Sequence, residues 1–423
     1  SLDVVLSESS FTSEELVVVG YGSTQKGDLT GSVSQISAES FEQVSPSANV
    51  DRMLQGEVAG LQVMNPSGEP GQSATVRIRG VSSLSGSNDP LYVVDGMPVG
   101  GAGNLKQINP QNIKSVQVLK DASAAAIYGS RGANGVILIE TKEGTSEGGA
   151  EINVNLQSNI SDLPQKLNVF EDPVRYAIVT NESRVNAGQE PLYTGQNYLG
   201  TYYPSEQELR SGEWPHTTYW PDKNFRTTNS QNMTITARGG NESTQYSFSG
   251  NYMNKEGLAI KNNYEKLSGN LKVNQEILDN LRLRSNIVLT RTNDRNSNTY
   301  YQRSPVFPVY NDQGEYFKVG PNDFYNPVAH ANEVLNKNKT LDLYVTEELI
   351  WDITENLQIE SQLSISYGES TTDIYEPEAN TNRGNIFGGY GEVSNWEGTE
   401  TINETFATYQ NTLGEQHEFK AMS

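Results

Sequence analysis

The sequence predicts an antiparallel β-barrel of the membrane-spanning kind, preceded by a compact α+β domain. From about residue 145 onward, apolar and polar residues alternate in about nine segments separated by short turns and long connections. Between residues 27 and 144, short segments lie between closely spaced glycine-containing turns. No apolar run approaches the ~18 residues of a membrane-spanning helix, and barrel strands contain no such run. For any single alternating strand, a soluble β-sandwich is the alternative.

Composition excludes several classes of protein. The 423 residues carry a formal net charge of −22, which argues against a nucleic-acid partner because such proteins present a basic surface. Cysteine is absent, so disulfides and thiolate metal sites are impossible, and the three histidines are far apart in the sequence. We therefore predict no catalytic residues, no cofactor and no metal, and we do not expect an enzyme.

The chain begins with an extended segment. Three consecutive valines at residues 17–19 favour a strand because branching at Cβ restricts the side chain and suits a pleated backbone. This strand is either buried in a small domain or a tethered segment that pairs with the sheet edge of a partner. Its position just before a compact domain favours the second interpretation.

The α+β domain is predicted from turn and helix signals. Asp95 and Gly96 form a hairpin signal between strands, and Asn134 with Gly135 forms another turn. An alanine-rich helix is expected from Lys120 to Tyr128. A second helix is expected at residues 50–55. Strands are expected at residues 30–36, 61–64, 75–80, 91–94, 113–119 and 136–141.

Several motifs in residues 14–290 resemble one family of transporters. The longest are PLYVVDG at 90–96 and LKDASAAAIYGSRGANGV at 119–136, with INP at 108–110 between them. Shorter blocks, including VVGYG at 18–22 and SGEPG at 67–71, follow the same order. On these residues the chain resembles the SusC/RagA family of TonB-dependent receptors, which transport nutrients across the outer membrane of Bacteroidetes.

The resemblance implies a fold and a function. The α+β domain would be a plug that fills a multi-pass outer-membrane β-barrel. The protein would import an oligosaccharide or an oligopeptide, driven by TonB with ExbB and ExbD and assisted by a SusD-like lipoprotein lid and the surrounding outer-membrane lipid. A surface adhesion or secretion-associated scaffold without active import is the alternative function. The TonB-binding segment maps onto Glu15, Leu16, Val17, Val18 and Val19.

The domain limits follow from these observations. Residues 1–26 are expected to contain the end of an N-terminal extension and the TonB-binding segment, residues 27–144 the plug, and residues 145–423 the first part of the barrel. About nine strands are too few to enclose a plug, since plugged transporters have about 22. We therefore expect the barrel to be incomplete in this chain.

Aromatic residues in the first long connection are candidates for binding. Aromatic faces stack on sugar rings and on peptide side chains. The alternative is that these rings pack the connection against itself or fix it to a lid protein. The candidates for contact with substrate or lid are Tyr202, Tyr203, Trp214, Tyr219 and Trp220. In the α+β domain, Arg77 and Arg79 are expected to pair with acidic groups of the barrel wall rather than to bind substrate.

Overall fold

The computed structural model divides the chain into two units. One contains Ser1–Gly68 and Gln72–Glu143, and the other contains Glu69–Gly71 and Gly144–Ser423. The structure describes residues 16–18, 23–25, 33–37, 50–65, 67–80, 83, 86–100, 105, 108–146, 149–163, 167–297, 303–320, 323, 326–413 and 417–422.

The first unit combines short strands with very short helices. Helix α1 is Val50–Met53 and α2 is Ala122–Ala125, and 3₁₀ turns lie at Pro110–Asn112 and Ala126–Gly132. Its strands are β1 (Leu16–Val18), β2 (Ser23–Gln25), β3 (Val33–Ser37), β4 (Leu61–Met64), β5 (Thr75–Ile78), β6 (Leu91–Val94), β7 (Met97–Gly100), β8 (Ile113–Leu119) and β9 (Val136–Thr141).

A five-stranded mixed sheet forms the centre of this unit. Its strand order is β3-β8-β9-β6-β7, in which β6 and β9 run parallel and the other neighbours run antiparallel. Apolar clusters cover both faces: Val116 and Ile137 belong to one cluster, and Leu119 and Leu138 to the other. The central strands are therefore buried on both sides, which requires nearly continuous apolar residues rather than alternation.

Two turns in the first unit test the local predictions. Asp95 and Gly96 both have positive φ, +48° and +83°, as a two-residue hairpin turn requires, so the predicted hairpin is confirmed. The helix predicted from residue 120 to 128 is too long. Helix α2 ends at Ala125, and the following 3₁₀ turn is interrupted at Gly129, whose φ of 58° and ψ of −145° are not helical.

The second unit consists of long strands with helices in the connections. Among the described residues, no helix is long and apolar enough to cross a membrane. The helices are α3 (Pro173–Asn186), α4 (Glu206–Ser211), α5 (Trp220–Asn224), α6 (Pro327–Glu333) and α7 (Asn382–Phe387). The strands are β10 (Glu151–Ser161), β11 (Gln196–Tyr198), β12 (Thr201–Tyr203), β13 (Thr228–Gly240), β14 (Thr244–Glu256), β15 (Asn263–Leu278), β16 (Leu281–Arg295), β17 (Leu335–Thr354), β18 (Leu357–Glu376), β19 (Tyr390–Leu413) and β20 (His417–Met422).

Nine of these strands form one antiparallel meander within the described part of the chain. The order is β10-β13-β14-β15-β16-β17-β18-β19-β20, while β11 and β12 form a separate hairpin. Because neighbouring strands run in opposite directions, the tight turns all lie at the same end of the strands. The longer connections, at the opposite end of the strands, are 162–227, 257–262, 296–334 and 377–389.

Several strands are longer than the sequence pattern predicts. The alternation in residues 343–353 predicts 11 residues, whereas β17 has 20. Residues 405–409 alternate, whereas β19 has 24 residues. The added residues are mostly polar, as in LNKNKTLD at the start of β17. Backbone hydrogen bonds continue the ladder whatever the side chains are, so alternation marks only part of each strand.

The two faces of the nine-stranded sheet are inverted relative to a soluble protein. Phe248, Leu271 and Ile287 are cross-strand neighbours on one face and are 42%, 40% and 36% exposed. On the other face, Asn251 and Thr290 are 4% and 0% exposed. A sheet that exposes its apolar side chains and buries its polar ones matches the wall of a membrane barrel rather than a soluble sandwich.

Candidate functional site

The predicted TonB-binding segment forms one strand of a hairpin. Leu16, Val17 and Val18 make up β1, which pairs antiparallel with β2 in the register Leu16↔Gln25 to Val18↔Ser23. Glu15 and Val19, the other two predicted members, lie outside the described residues. Each strand of a two-stranded sheet has an edge outside the pair, and a partner's strand adds to such an edge through main-chain hydrogen bonds.

A buried acid fastens helix α1 to the segment that precedes β5. The Asp51 carboxylate, 0% exposed, accepts hydrogen bonds from the backbone N–H groups of Ala74 and Arg52. Burial raises the pKa of Asp51, and these donors act in the opposite direction. The Arg52 guanidinium donates to the carbonyls of Ser67 and Gln72 at 3.2 and 3.0 Å. The two adjacent side chains therefore hold both ends of residues 67–74.

A second acid joins the hairpin to the neighbouring parallel strand. The Asp95 carboxylate accepts from the backbone N–H of Thr141 at 2.9 Å and from its hydroxyl at 2.8 Å. Thr141 is buried, so its two donors need this partner. In the same unit, the Arg79 guanidinium lies 2.6 Å from the carboxylate of Asp121. This arginine thus has an acidic partner within its own unit, whereas the sequence led us to expect one on the barrel wall.

Two long connections of the second unit, 162–227 and 296–334, share an apolar core. Phe307 lies at its centre, stacked on Phe317 with ring centroids 5.3 Å apart. Tyr203 meets Phe307 edge-on at 5.4 Å. Such aromatic pairs add about 0.5–1.5 kcal/mol each beyond burial of their area. The buried members of this core are Ala177, Tyr193, Tyr203, Leu209, Val306 and Phe307.

Three of the five candidate aromatics join these two connections. Tyr203 and Trp220 are 8% and 2% exposed. The Trp220 indole N–H donates to the carbonyl of Ser304 at 2.9 Å, and that of Trp214 donates to the carbonyl of Val306 at 2.7 Å. In this structure these rings therefore pack one connection against the other. A role in substrate or lid contact stays a prediction.

The other two candidates make polar contacts within the first connection. The Tyr202 hydroxyl donates to the Glu208 carboxylate, which also accepts from the backbone N–H of Ser205 at 2.7 Å as part of a capping box. The hydrogen bond from Tyr202 lowers the pKa of Glu208, and the same contact raises the pKa of Tyr202. The Tyr219 hydroxyl lies 3.5 Å from the carbonyl of Leu167. Both rings are partly exposed.

A nearly buried ion pair fixes the second connection. The side chains of Arg303 and Asp323 are 7% and 11% exposed and pair through two hydrogen bonds. Asp323 also accepts from the backbone N–H of Val319 at 2.6 Å, and Arg303 donates to the carbonyl of Phe317 at 3.1 Å. The guanidinium lies 5.5 Å from the centre of the Trp220 ring, within cation–π range. This pair links α5 to the second connection.

Among the described residues, no group of three or more His, Asp or Glu side chains is placed to hold a metal ion. The hydrogen bonds described above join side chains to backbone groups or to charged partners and have a structural role. They fasten the β6–β7 hairpin and helix α1 within the first unit, and they hold connections 162–227 and 296–334 together in the second unit.

Comparison with known proteins gives the family. The TonB-dependent receptor plug domain model matches residues 25–136. The whole chain is 33% identical to TonB-dependent receptor P26 of Formosa agariphila, covering 42% of that protein, and 98% of it is 28% identical to TonB-dependent receptor SusC of Bacteroides thetaiotaomicron, covering 42%. The RagAB peptide importer in its open-open state superimposes with a TM-score of 0.79 at 25% identity, covering 96% of this chain and 48% of that one. The chain belongs to the SusC/RagA family of TonB-dependent receptors.

A SusC/RagA receptor lies in the outer membrane as a β-barrel, so the predicted fold and location are confirmed. The chain spans less than half the length of these relatives, which agrees with a partial barrel. The exposed apolar face of its sheet is the lipid-facing side. Tyr252, Trp351 and Tyr367 also lie on that face.

Sequence reasoning did not identify the polar anchors of this SusC/RagA chain. Asp51 with Arg52, and Arg303 with Asp323, are ordinary charged residues in the sequence, and no spacing links them to their partners. Asp95 was assigned only to a turn, although its carboxylate also fastens β9. Asp95 lies at positive φ in the turn, and from this position its side chain reaches Thr141 of β9.

Proposed function

We propose that the receptor to which this chain belongs actively imports a nutrient, an oligosaccharide or an oligopeptide, across the outer membrane. The observation that carries the proposal is the combination of a plug domain with the first part of an inverted antiparallel barrel wall. A passive scaffold needs neither a plug nor a coupling segment. One structural relative is described as a peptide importer.

The proposed coupling element is the segment from Glu15 to Val19. TonB, energised by ExbB and ExbD, would pair with it by strand addition. Five residues of paired strand carry a pulling force through several backbone hydrogen bonds loaded together, and main-chain pairing tolerates changes of side chain. The β1–β2 hairpin supports this role because residues 16–18 of the segment adopt extended backbone there.

The domain assignment forms part of the proposal. Residues 27–144 would fill the lumen of a barrel that begins at residue 145, and tension on the coupling segment would displace part of this plug. A SusD-like lipoprotein would cover the outer opening, with the long connections 162–227 and 296–334 nearest to it. No step requires catalysis by the chain, in agreement with relatives that are receptors rather than enzymes.

Deletion of residues 14–22 in the full-length receptor tests the proposal. Cells that express the variant should keep normal amounts of folded receptor in the outer membrane but lose the uptake that a protonophore abolishes in the wild type. A surface adhesin or a secretion scaffold would be unaffected by the deletion. Energy-dependent uptake that persists at the wild-type rate would contradict the proposal.

A further inference from the structure

A tryptophan lies on the polar face of the barrel wall, away from lipid. Trp396 in β19 is directly opposite Ser370 in β18, which is opposite Thr340 in β17. This row alternates with the lipid-facing rows that contain Ile365 and Tyr367. The Trp396 side chain is 61% exposed. It therefore does not belong to the aromatic residues at the lipid interface, which point outward.

Two glycines make room for the Trp396 ring. Gly368 and Gly398 are cross-strand neighbours one row below it. A Cβ added to Gly368 would lie 2.8 Å from Cζ3 of Trp396, and a Cβ added to Gly398 would lie 2.8 Å from Cζ2. Real Cβ atoms do not approach carbon atoms so closely, so the indole occupies the space that two side chains would otherwise fill. The ring thus lies against the strands rather than standing out from them.

Hydrogen-bonding groups surround the ring. In the row above, the hydroxyl of Thr372 donates to the side-chain oxygen of Asn338 at 3.0 Å. The hydroxyl of Ser370, in the row of Trp396 itself, donates to the same oxygen at 3.0 Å. In the row below, a carboxylate oxygen of Asp342 lies 3.4 Å from the position of a Cβ on Gly368. Hydroxyl, amide and carboxylate groups therefore lie in the rows on both sides of Trp396.

The charge around Trp396 disfavours an anionic ligand. On this face of β17, β18 and β19, the row of Trp396 and the two rows on each side contain acidic and neutral residues and no lysine or arginine. Lys337 and Lys339 belong to the alternate rows, on the lipid-facing side. A ligand carboxylate would find no positive partner in these five rows, because Arg383, which lies over Tyr390 one row further on, already pairs with Glu376. A sugar ring needs no such partner.

We propose that Trp396 is a stacking platform for the ring of a neutral pyranose within an oligosaccharide. The proposal rests on the import function above and names its substrate class. One face of a pyranose presents C–H groups, which suit the electron-rich face of an indole. Its equatorial hydroxyl groups would then reach the hydroxyls of Ser370 and Thr372 and the carboxylate of Asp342, which accept and donate in the required combinations.

Binding by purified full-length receptor in detergent tests the platform. The receptor is applied to a printed array of neutral oligosaccharides and to one of random-sequence hexapeptides. The wild type should bind members of the first array, and Trp396→Ala should weaken that binding about tenfold, as expected for loss of one aromatic contact. Trp396→Phe should retain more affinity than Trp396→Ala. Trp351→Ala is the matched control, because it removes the same side chain from the lipid-facing side of the same sheet.

A second variant leaves the tryptophan in place. Gly398→Val suits an extended strand but displaces the indole, so it should also weaken binding. The heat-dependent gel mobility of folded barrels shows whether each variant is folded. Binding to peptides alone, no binding to oligosaccharides, or equal affinities for Trp396→Ala and Trp351→Ala would overturn the platform.

The two proposals fail in different ways. Energy-dependent uptake of peptides, with no oligosaccharide bound, would remove the Trp396 platform and leave the import function standing. If oligosaccharide binding depended on Trp396 but uptake were unchanged by the deletion of residues 14–22, the platform would stand and the import function would be wrong.

Discussion

Loss of the Asp323 carboxylate should loosen the packed connections of the second unit. Asp323→Ala removes both hydrogen bonds to Arg303 and the acceptor for the Val319 N–H, and leaves a guanidinium that is 93% buried without its counter-ion. Removing one partner of a buried pair costs about 3–5 kcal/mol. Arg303 keeps its bond to the Phe317 carbonyl and its contact with Trp220, so we expect the lower end, about 3 kcal/mol.

That cost has a direct readout in amide hydrogen exchange. A loss of about 3 kcal/mol raises the population of locally open states about a hundredfold, so amides in residues 303–320 and in α5 should exchange about a hundred times faster. Exchange is followed by mass spectrometry on the full-length receptor. Strands β13–β16 should exchange at the wild-type rate.

The matched control is Glu206→Ala in the same set of connections. Glu206 pairs with Arg210 at 2.8 Å, but their side chains are 50% and 60% exposed. An exposed pair of this kind contributes only about 0.3–0.5 kcal/mol, so exchange should change about twofold. If Asp323→Ala raised exchange no more than Glu206→Ala does, the assignment of Arg303 and Asp323 as an anchor would be wrong.

Three further predictions follow from the structure. Val18→Pro should reduce energy-dependent uptake much more than Val18→Ala, because proline removes a donor from the paired strand; equal uptake would count against strand pairing. The hydrogen bond from Tyr202 lowers the pKa of Glu208 in the folded protein. This contact therefore stabilises α4 fully at pH values above the pKa of an unstructured glutamate, and the stabilisation is lost as the pH falls through the lower pKa of the folded state. Fluorine NMR of a fluorotyrosine at position 202 should show that transition on the acid side of a glutamate in an unstructured peptide, and a transition at the peptide value would contradict it. Leu271→Arg, on the lipid-facing side, should destabilise the folded barrel by about 2–4 kcal/mol and Glu400→Arg, at an exposed position on the polar side, by less, as measured by denaturant-induced unfolding in lipid; equal costs would contradict the assignment of the two faces.

The sequence predicted the α+β unit well because its signals are local. The positive φ values at Asp95 and Gly96 follow from a turn type that few residues tolerate, and the strands on either side are short and apolar. The alanine-rich helix was predicted too long. Helix propensity favours a continuous helix through Tyr128, but α2 ends at Ala125 and the chain continues as a 3₁₀ turn, which is interrupted at Gly129.

The barrel wall was predicted in kind but not in length. Alternation reports where one face meets lipid, so it located the second half of β17 and five residues near the end of β19, and missed the polar ends that precede them. Those ends are held by the same backbone ladder, which leaves no mark on side-chain composition.

The roles of aromatic residues in the long connections could not be read from the sequence. Tyr198 is 47% exposed, whereas Tyr203, five residues later, is 8% exposed. Both lie on the same face of the β11–β12 hairpin, so the period of the strands does not distinguish them, and packing against the other connection is what buries Tyr203. The partners that bury Tyr203, among them Phe307, are about a hundred residues away in the chain.

Cysteine labelling in living cells tests the central claim that tension on the coupling segment opens the plug. The chain has no cysteine, so a single Val76→Cys in β5, where the side chain is 0% exposed, provides the one thiol within these 423 residues, and any cysteine elsewhere in the receptor is replaced by serine. In full-length receptor, a maleimide should label this thiol in energised cells, and labelling should fall to background with a protonophore or with Val18→Pro. Equal labelling in all three conditions would contradict the claim.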